Sequence, residues 1–223
     1  MKRWFGCWII TVACLLLTAP GAVAAPRLLL DAGHGGEDGG AVSKSGVVES
    51  SVNLSIVRRL RELWLFCGVE PELTREGEEA VYSEGAQTLR EKKVSDIKNR
   101  VAQINNGTDG YFISIHQNSL PSNPKVHGAQ VFYNQPSGAE VLAQAVQQTL
   151  NTVVNEKAKS ASAIDSGIYL MAHARLPGIL VECGFLSNPA ETELLQQEGH
   201  QRKLALCIFA GTQEFIYNEE LSL

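Results

Sequence analysis

The sequence predicts an α/β fold: a single domain in which a mostly parallel six-stranded sheet carries helices on both faces. Three observations predict it. Strand and helix signals alternate from residue 27 onward, the order in which parallel strands are joined by crossover helices. Several of the strand-like runs are short and apolar throughout, as strands covered on both sides are. A length of 223 residues at 44% hydrophobic content suffices for one well-filled core and is short for two.

Each element has its own signal. "RLLLD" (27–31) reads as a buried strand, and residues 50–67 carry Val52, Ile56, Leu60 and Leu63 at helical spacing until Gly68 stops them. "VEPELT" (69–74) alternates Val69, Pro71 and Leu73, and its proline assigns it to a sheet edge. Residues 75–87 are polar and read as a loop. Thr88 and Glu91 form a capping-box pair ahead of Val94, Ile97, Val101 and Ile104, and "NNG" at 105–107 ends that helix. "YFISIH" (111–116) is the clearest buried strand, and "GAQVFY" (128–133) is another, followed by a helix from about 139 to 154. A polar stretch leads to "GIYLMA" (167–172) and "GILVEC" (178–183), the last two expected strands. Pro189 after Asn188 opens a helical region, and the chain ends in a helix with Leu204, Ile208, Phe215 and Ile216 on one side. No internal repeat or low-complexity segment interrupts this order.

The first 24 residues are of a different kind. Lys2 and Arg3 precede the apolar run "WFGCWIITVACLLLTA", and Ala22-Val23-Ala24 supplies small residues at a cleavage position, so residues 1–24 read as a secretory signal and 25–223 as the mature domain. An uncleaved anchor is the alternative, since an apolar run of about 17 residues only just spans a bilayer. Lipidation at Cys14 is disfavoured by Thr11, where an aliphatic residue is wanted. Removing Lys2 and Arg3 leaves 17 basic against 24 acidic residues, a balance of −7. That charge excludes nucleic acid as an electrostatic partner and leaves the membrane reachable only through an uncleaved signal. Cys67, Cys183 and Cys207 remain, an odd number without a CxxC pair, and read as buried free thiols rather than a disulfide framework. An exported chain without disulfides suits a Gram-positive type of envelope.

Ligands of open α/β sheets gather at the carboxyl ends of the strands. His34 follows the first strand, His116 ends "YFISIH", Glu182 stands near the end of "GILVEC", and Glu49 precedes the helix that returns from the glycine-rich loop. In a mainly parallel sheet these four converge on one rim. Two imidazoles and a carboxylate are a recurrent ligand set for catalytic zinc, with one position open for water, which would leave Glu182 as general base. The plainer alternatives are a hydrogen-bonded histidine closing a core strand and a capped carboxylate, although a charge between Val181 and Cys183 needs a partner. A phosphate cradle is excluded at "GHGGEDGG": the loop matches neither glycine-rich phosphate motif, has no lysine in place, and sets Glu37 and Asp38 where an anion would be repelled. Its glycines instead let the backbone turn and aim His34.

"DAGHGGEDGGA" (31–41), Glu49 with Asn53, "SIHQNS" (114–119) and "VECGFLSNP" (181–189) together resemble the zinc-dependent N-acetylmuramoyl-L-alanine amidases of the type-3 cell-wall hydrolase family, over about residues 27–215. "LREKKVSDIKNRVAQIN" and "SGIYLMAHARLPGILVECGFLSNP" are most similar to its germination-specific, spore-cortex members. The resemblance implies one Zn²⁺ held by His34, Glu49 and His116, with Glu182 as catalytic acid and base. Asn53 and Asn118 match polar family positions that contact substrate or orient a ligand, and Asp31 and Asp38 match positions read as loop braces. His127 is a departure, and it, His173 and His200 read as loop or helix-cap residues. The implied activity is cleavage of the amide between the muramic lactyl group and L-alanine of peptidoglycan, outside the cell, at the wall or in the forespore intermembrane space of an endospore former. There a separate muramic deacetylase completes muramic-δ-lactam formation, and an accessory protein that assists zinc binding is a second expected partner. A general vegetative or mother-cell wall amidase, a zinc carboxypeptidase using Glu37 three residues after His34, and an inactive wall-binding protein are the competing readings.

Overall fold

A computed structural model describes residues 26–220. The signal expected at 1–24 lies outside the described residues, and among those described no helix is long and apolar enough to cross a membrane. The elements run β1 (Leu28–Ala32), α1 (Glu49–Phe66), β2 (Glu72–Leu73), α2 (Leu89–Ile104), β3 (Tyr111–Asn118), β4 (Gln130–Tyr133), α3 (Ala139–Val153), β5 (Ser162–Ala163), α4 (Tyr169–His173), β6 (Gly178–Phe185), α5 (Pro189–Leu195) and α6 (Glu198–Glu220). They form one six-stranded sheet of order β2-β1-β3-β6-β4-β5. Every pairing is parallel except β4 against β6. The expected mostly parallel six-stranded sheet is therefore the observed one, with β2 at an edge directly after Pro71, as its proline requires.

Local signals account for most boundaries. Thr88 Oγ1 accepts the Glu91 N–H at 3.2 Å while the Glu91 carboxylate accepts the Thr88 N–H at 2.9 Å, closing the capping box of α2. Asn188 caps α5 by accepting the N–H groups of Ala190 and Glu191, and Pro189 occupies the first helical position.

Two expectations fail. Residues 167–172 are not a strand: Leu170 and Met171 are both buried whereas Ile168 and Tyr169 are exposed. Burying two adjacent residues defeats the alternation a strand needs, and the segment forms the short helix α4. The polar stretch before it supplies β5 instead, paired to β4 through Phe132 with Ser162 and Tyr133 with Ala163. Cys67 is also misplaced: it caps the end of α1 in an exposed position, while Cys183 and Cys207 are buried, and all three are free thiols.

The core lies on both sides of the sheet. On one side Leu28, Leu30, Ile113, Ile115, Ile179 and Val181 pack against α1, α3 and α6, through Leu60, Trp64, Leu142, Val146, Leu204 and Ile208. On the other, Leu29, Phe112 and Leu180 meet Ile104 of α2 and Leu170 and Met171 of α4. This second cluster is small for a reason written in the strands. Because side chains alternate between faces, the residues that follow Leu29, Phe112 and Leu180 on this side are Asp31, then Ser114 and His116, then Glu182. Toward the carboxyl ends of β1, β3 and β6 the face therefore turns from apolar to polar, and α2 and α4 cover a cavity there instead of a core.

Candidate metal and catalytic site

The cavity is about 450 Å³ and is lined by His34, Glu49, His116 and Glu182 on the sheet side, Lys93, Ile97 and Arg100 of α2, and Ile168 to Leu170 at α4. All four rim residues expected from the sequence reach it. His116 and Glu182 are register partners on β3 and β6, just before a bulge between His116 and Asn118. Glu49 is the first residue of α1, so the positive end of the helix dipole favours its carboxylate.

The glycine-rich loop brings His34 to this pair. Gly35 and Asp38 exchange backbone hydrogen bonds at 2.9 and 3.0 Å, and His34 itself is left-handed, φ 63°, the one described non-glycine residue with positive φ. Two of the glycines are required by contact. A Cβ on Gly33 would collide with the His116 imidazole, and one on Gly40, whose φ is 72°, would lie 2.6 Å from His34 Cδ2 and 2.5 Å from Glu49 Oε2. Behind the loop, Arg75 donates to the carbonyls of Ala32, Gly33 and Ser50.

One ligand atom each from His34, Glu49 and His116 lie within 4.8 Å of one another, a spacing that can hold a metal ion. Glu49 Oε1 is 2.9 Å from His116 Nδ1 and accepts the Gln117 N–H at 3.1 Å. Its Oε2 is 3.4 Å from His34 Nε2 and accepts the Ala41 N–H at 2.8 Å. The Asn53 amide donates to the Gly33 carbonyl at 3.0 Å and lies 3.4 Å from Glu49 Oε1, so this asparagine braces both the loop and the carboxylate. Asn118 is elsewhere in the cavity wall; its side-chain oxygen accepts the Ser119 N–H and touches none of the three. Asp38 accepts from His34 Nδ1 at 3.0 Å, which turns Nε2 toward Glu49. Glu37, by contrast, faces outward to Lys92 and takes no part in the cluster. His127 lies near Glu156 and His173 stacks on Tyr169, both away from the cluster.

The charges explain the protonation of the site. Burial works against charge on Glu49, but hydrogen bonds and attraction from His116 and His34 hold its carboxyl far below the usual range. Burial also opposes charge on His34, and its contacts with Asp38 and Glu49 outweigh this and raise the imidazole to about 9. Glu182 behaves oppositely. It keeps some residual exposure as a residue, yet its Oε2 is enclosed and has no hydrogen-bond partner among the described residues. Burial, partly offset by His116 and His34 and reinforced by Glu49, pushes its carboxyl up to about 7. A buried carboxylate oxygen without a partner, beside a two-histidine, one-carboxylate cluster, makes Glu182 a candidate for proton transfer.

Sequence reasoning missed the groups that hold this site from α2. Arg100 sends Nη1 to both oxygens of Asp31 at 3.0 Å and Nε to Asp96 at 2.9 Å, all buried. Ser114 and Thr74 hydroxyls complete the shell of Asp31 at 2.6 and 2.7 Å. The available signal was the period-two run Leu29, Asp31, which puts a charge on a covered face and demands a partner.

Comparison with known proteins agrees with this geometry. Residues 28–214 match the family model described as N-acetylmuramoyl-L-alanine amidase. The germination-specific N-acetylmuramoyl-L-alanine amidase of Bacillus subtilis is 38% identical over 185 residues, which cover 82% of this chain and 77% of that protein. Among solved structures, the CwlD amidase of Clostridioides difficile, determined in complex with the GerS lipoprotein, superposes with a TM-score of 0.82 at 37% identity, covering 86% of this chain and 99% of that one. An N-acetylmuramoyl-L-alanine amidase of Clostridium difficile 630 follows at 0.76 and 25%, covering 87% and 98%.

Proposed function

The chain belongs to the N-acetylmuramoyl-L-alanine amidase family and is a peptidoglycan amidase, and we propose that it works with one zinc ion held by His34, Glu49 and His116 and with Glu182 as its acid and base. The observation that carries the proposal is that Glu182 lines the same cavity as that ligand cluster while its carboxyl finds no hydrogen-bond partner at Oε2 among the described residues.

Two imidazoles and a carboxylate match the donor set of catalytic zinc sites. When bound there, zinc supplies Lewis acidity, polarising the amide carbonyl and lowering the pKa of water to about 7. Glu182 takes the proton of the attacking water on its carboxylate as the hydroxyl adds to the lactyl carbonyl. It then delivers that proton to the alanine nitrogen, which leaves as an amine. A carboxyl poised at about 7 can do both near neutrality. Asp38 and Asn53 orient His34 and Glu49 from outside, while Asn118 and the Ile168–Tyr169 rim are placed to contact substrate.

The likeness to the germination-specific relative supports action on spore-cortex peptidoglycan, where a muramic residue freed of its peptide is the substrate of a deacetylase on the way to muramic-δ-lactam. The basic, apolar and small-residue succession of residues 1–24 supports export by that segment, with 25–223 as the catalytic domain. Since the solved CwlD amidase is a complex with a lipoprotein, an accessory lipoprotein is the proposed physical partner. Digestion of cortex peptidoglycan with zinc-loaded protein should release intact stem peptides with free L-alanine amino termini. Release of sugars or shortened peptides instead would refute the assignment.

A further inference from the structure

We propose that Lys93 is a positioning residue for the metal ligand His34 and acts through Asp38. The inference rests on the reading above, in which His34 holds zinc. Asp38 is bonded on both oxygens: Oδ2 to His34 Nδ1 at 3.0 Å, Oδ1 to Lys93 Nζ at 2.8 Å and to the Gly40 N–H at 3.2 Å. The chain Lys93–Asp38–His34 thus runs from α2 to a ligand atom. Its neighbours repeat the pattern: Lys92 pairs with Glu37, so two successive lysines of α2 grip two successive acids of the glycine-rich loop.

Two features need this explanation. Lys92 and Lys93 are consecutive in α2, and each reaches across to a different acid of the loop, which fixes the loop against the helix at two points. His34 is in a left-handed conformation that a side-chain-bearing residue adopts at a cost, and such conformations persist where the surroundings impose them. The Lys93 side chain is 48% exposed, and a pair that wet adds little to stability. Its consequence is orientation: with Oδ1 engaged by Lys93 and Gly40, the carboxylate presents Oδ2 to Nδ1, which leaves Nε2 as the donor toward the metal. Lys92 shares the clasp but not the connection, because Glu37 touches no ligand.

Zinc dissociation constants, measured by competition with a chromophoric chelator, test this in the unaltered protein, Lys93→Met, Lys93→Arg and Lys92→Met. Groups bonded directly to a metal ligand, as Asp38 is here, are worth about 10–100-fold in affinity; Lys93 acts one bond further out, so Lys93→Met should weaken zinc binding by less, about threefold to tenfold. Lys93→Arg should restore most of that loss, and Lys92→Met should bind as the unaltered protein does. A folded Lys93→Met protein with unchanged affinity, or a Lys92→Met protein weakened equally, overturns the proposal. If the unaltered protein takes up no zinc, the metal reading itself fails. Amide hydrogen exchange of the metal-free chain then decides the positioning: faster exchange at Asp38 and Gly40 in Lys93→Met but not in Lys92→Met supports it, and equal exchange in all refutes it.

Discussion

His116 and Glu182 are register partners on adjacent parallel strands, with side chains on the same face of the sheet and at its carboxyl end. One of them belongs to the cluster that could hold a metal ion, and the other is left with an oxygen that has no partner among the described residues. Substituting them should separate two functions. Glu182→Gln is expected to retain zinc and lose amidase activity by at least about 10²-fold, the ordinary contribution of a general acid–base group. His116→Ala should lose both. Metal analysis beside a muropeptide-release assay distinguishes them, and a zinc-replete His116→Ala protein would remove this histidine from the ligand set.

The proton on His34 predicts how metal affinity depends on pH. In the metal-free protein burial opposes this proton, but Asp38 and Glu49 raise the imidazole from 6.5 to about 9. Its stabilising contacts are therefore complete below about 6.5 and are lost as pH rises through about 9. A metal must displace the proton, so apparent zinc affinity should climb from neutral pH to about 9 and flatten above it. Chelator competition across that range checks the slope; a flat profile counts against His34 as a ligand.

Asp31 makes the opposite prediction in acid. Burial alone would raise its carboxyl, but Arg100, Ser114, His116 and Thr74 together hold it below its ordinary 3.8. The stability it contributes is present above that value and disappears as pH falls through the lower, folded one. Asp31→Asn should cost about 3–5 kcal/mol, because it leaves Arg100 buried without its main counter-charge. Urea melts at neutral and acid pH test both statements: the variant should be less stable at neutral pH and should lose less on acidification.

Gly33→Ala should damage the site more than the fold. The added methyl meets the His116 ring directly, so the imidazole must swing away from Glu49. Crowding of this kind typically costs about 1–3 kcal/mol. Thermal melting should register that modest loss, while zinc content falls much further. A variant that melts lower but binds zinc normally would show that the ring has room to adjust.

Much of this site was legible in the chain. His34, His116 and Glu182 follow or end apolar runs, and in a parallel sheet such positions share a rim whatever else the protein does. Glu49 was read as preceding the helix that returns from the glycine-rich loop, and the structure makes it the first residue of that helix, pointing at the same rim. Arg100, Arg75 and Lys93 were not legible, because nothing local tells which turn of α2, or which part of a polar loop, comes to lie over β1. The misread 167–172 segment has the same origin: a short apolar run suits a strand or a one-turn helix, and only packing of Leu170 and Met171 against Leu29 and Phe112 decides between them.

By itself, then, the sequence determined the α/β class, the sheet's two-sided burial and the identity of the four chemical groups, since these follow from hydrophobic period and from residue types at strand ends. The tertiary structure decided which face those groups share, that Glu182 keeps an enclosed and unpartnered oxygen, and that α2 reaches across to hold the glycine-rich loop. Those are distances between residues far apart in the chain, and they are fixed by how α2 and α4 close over the polar end of the sheet.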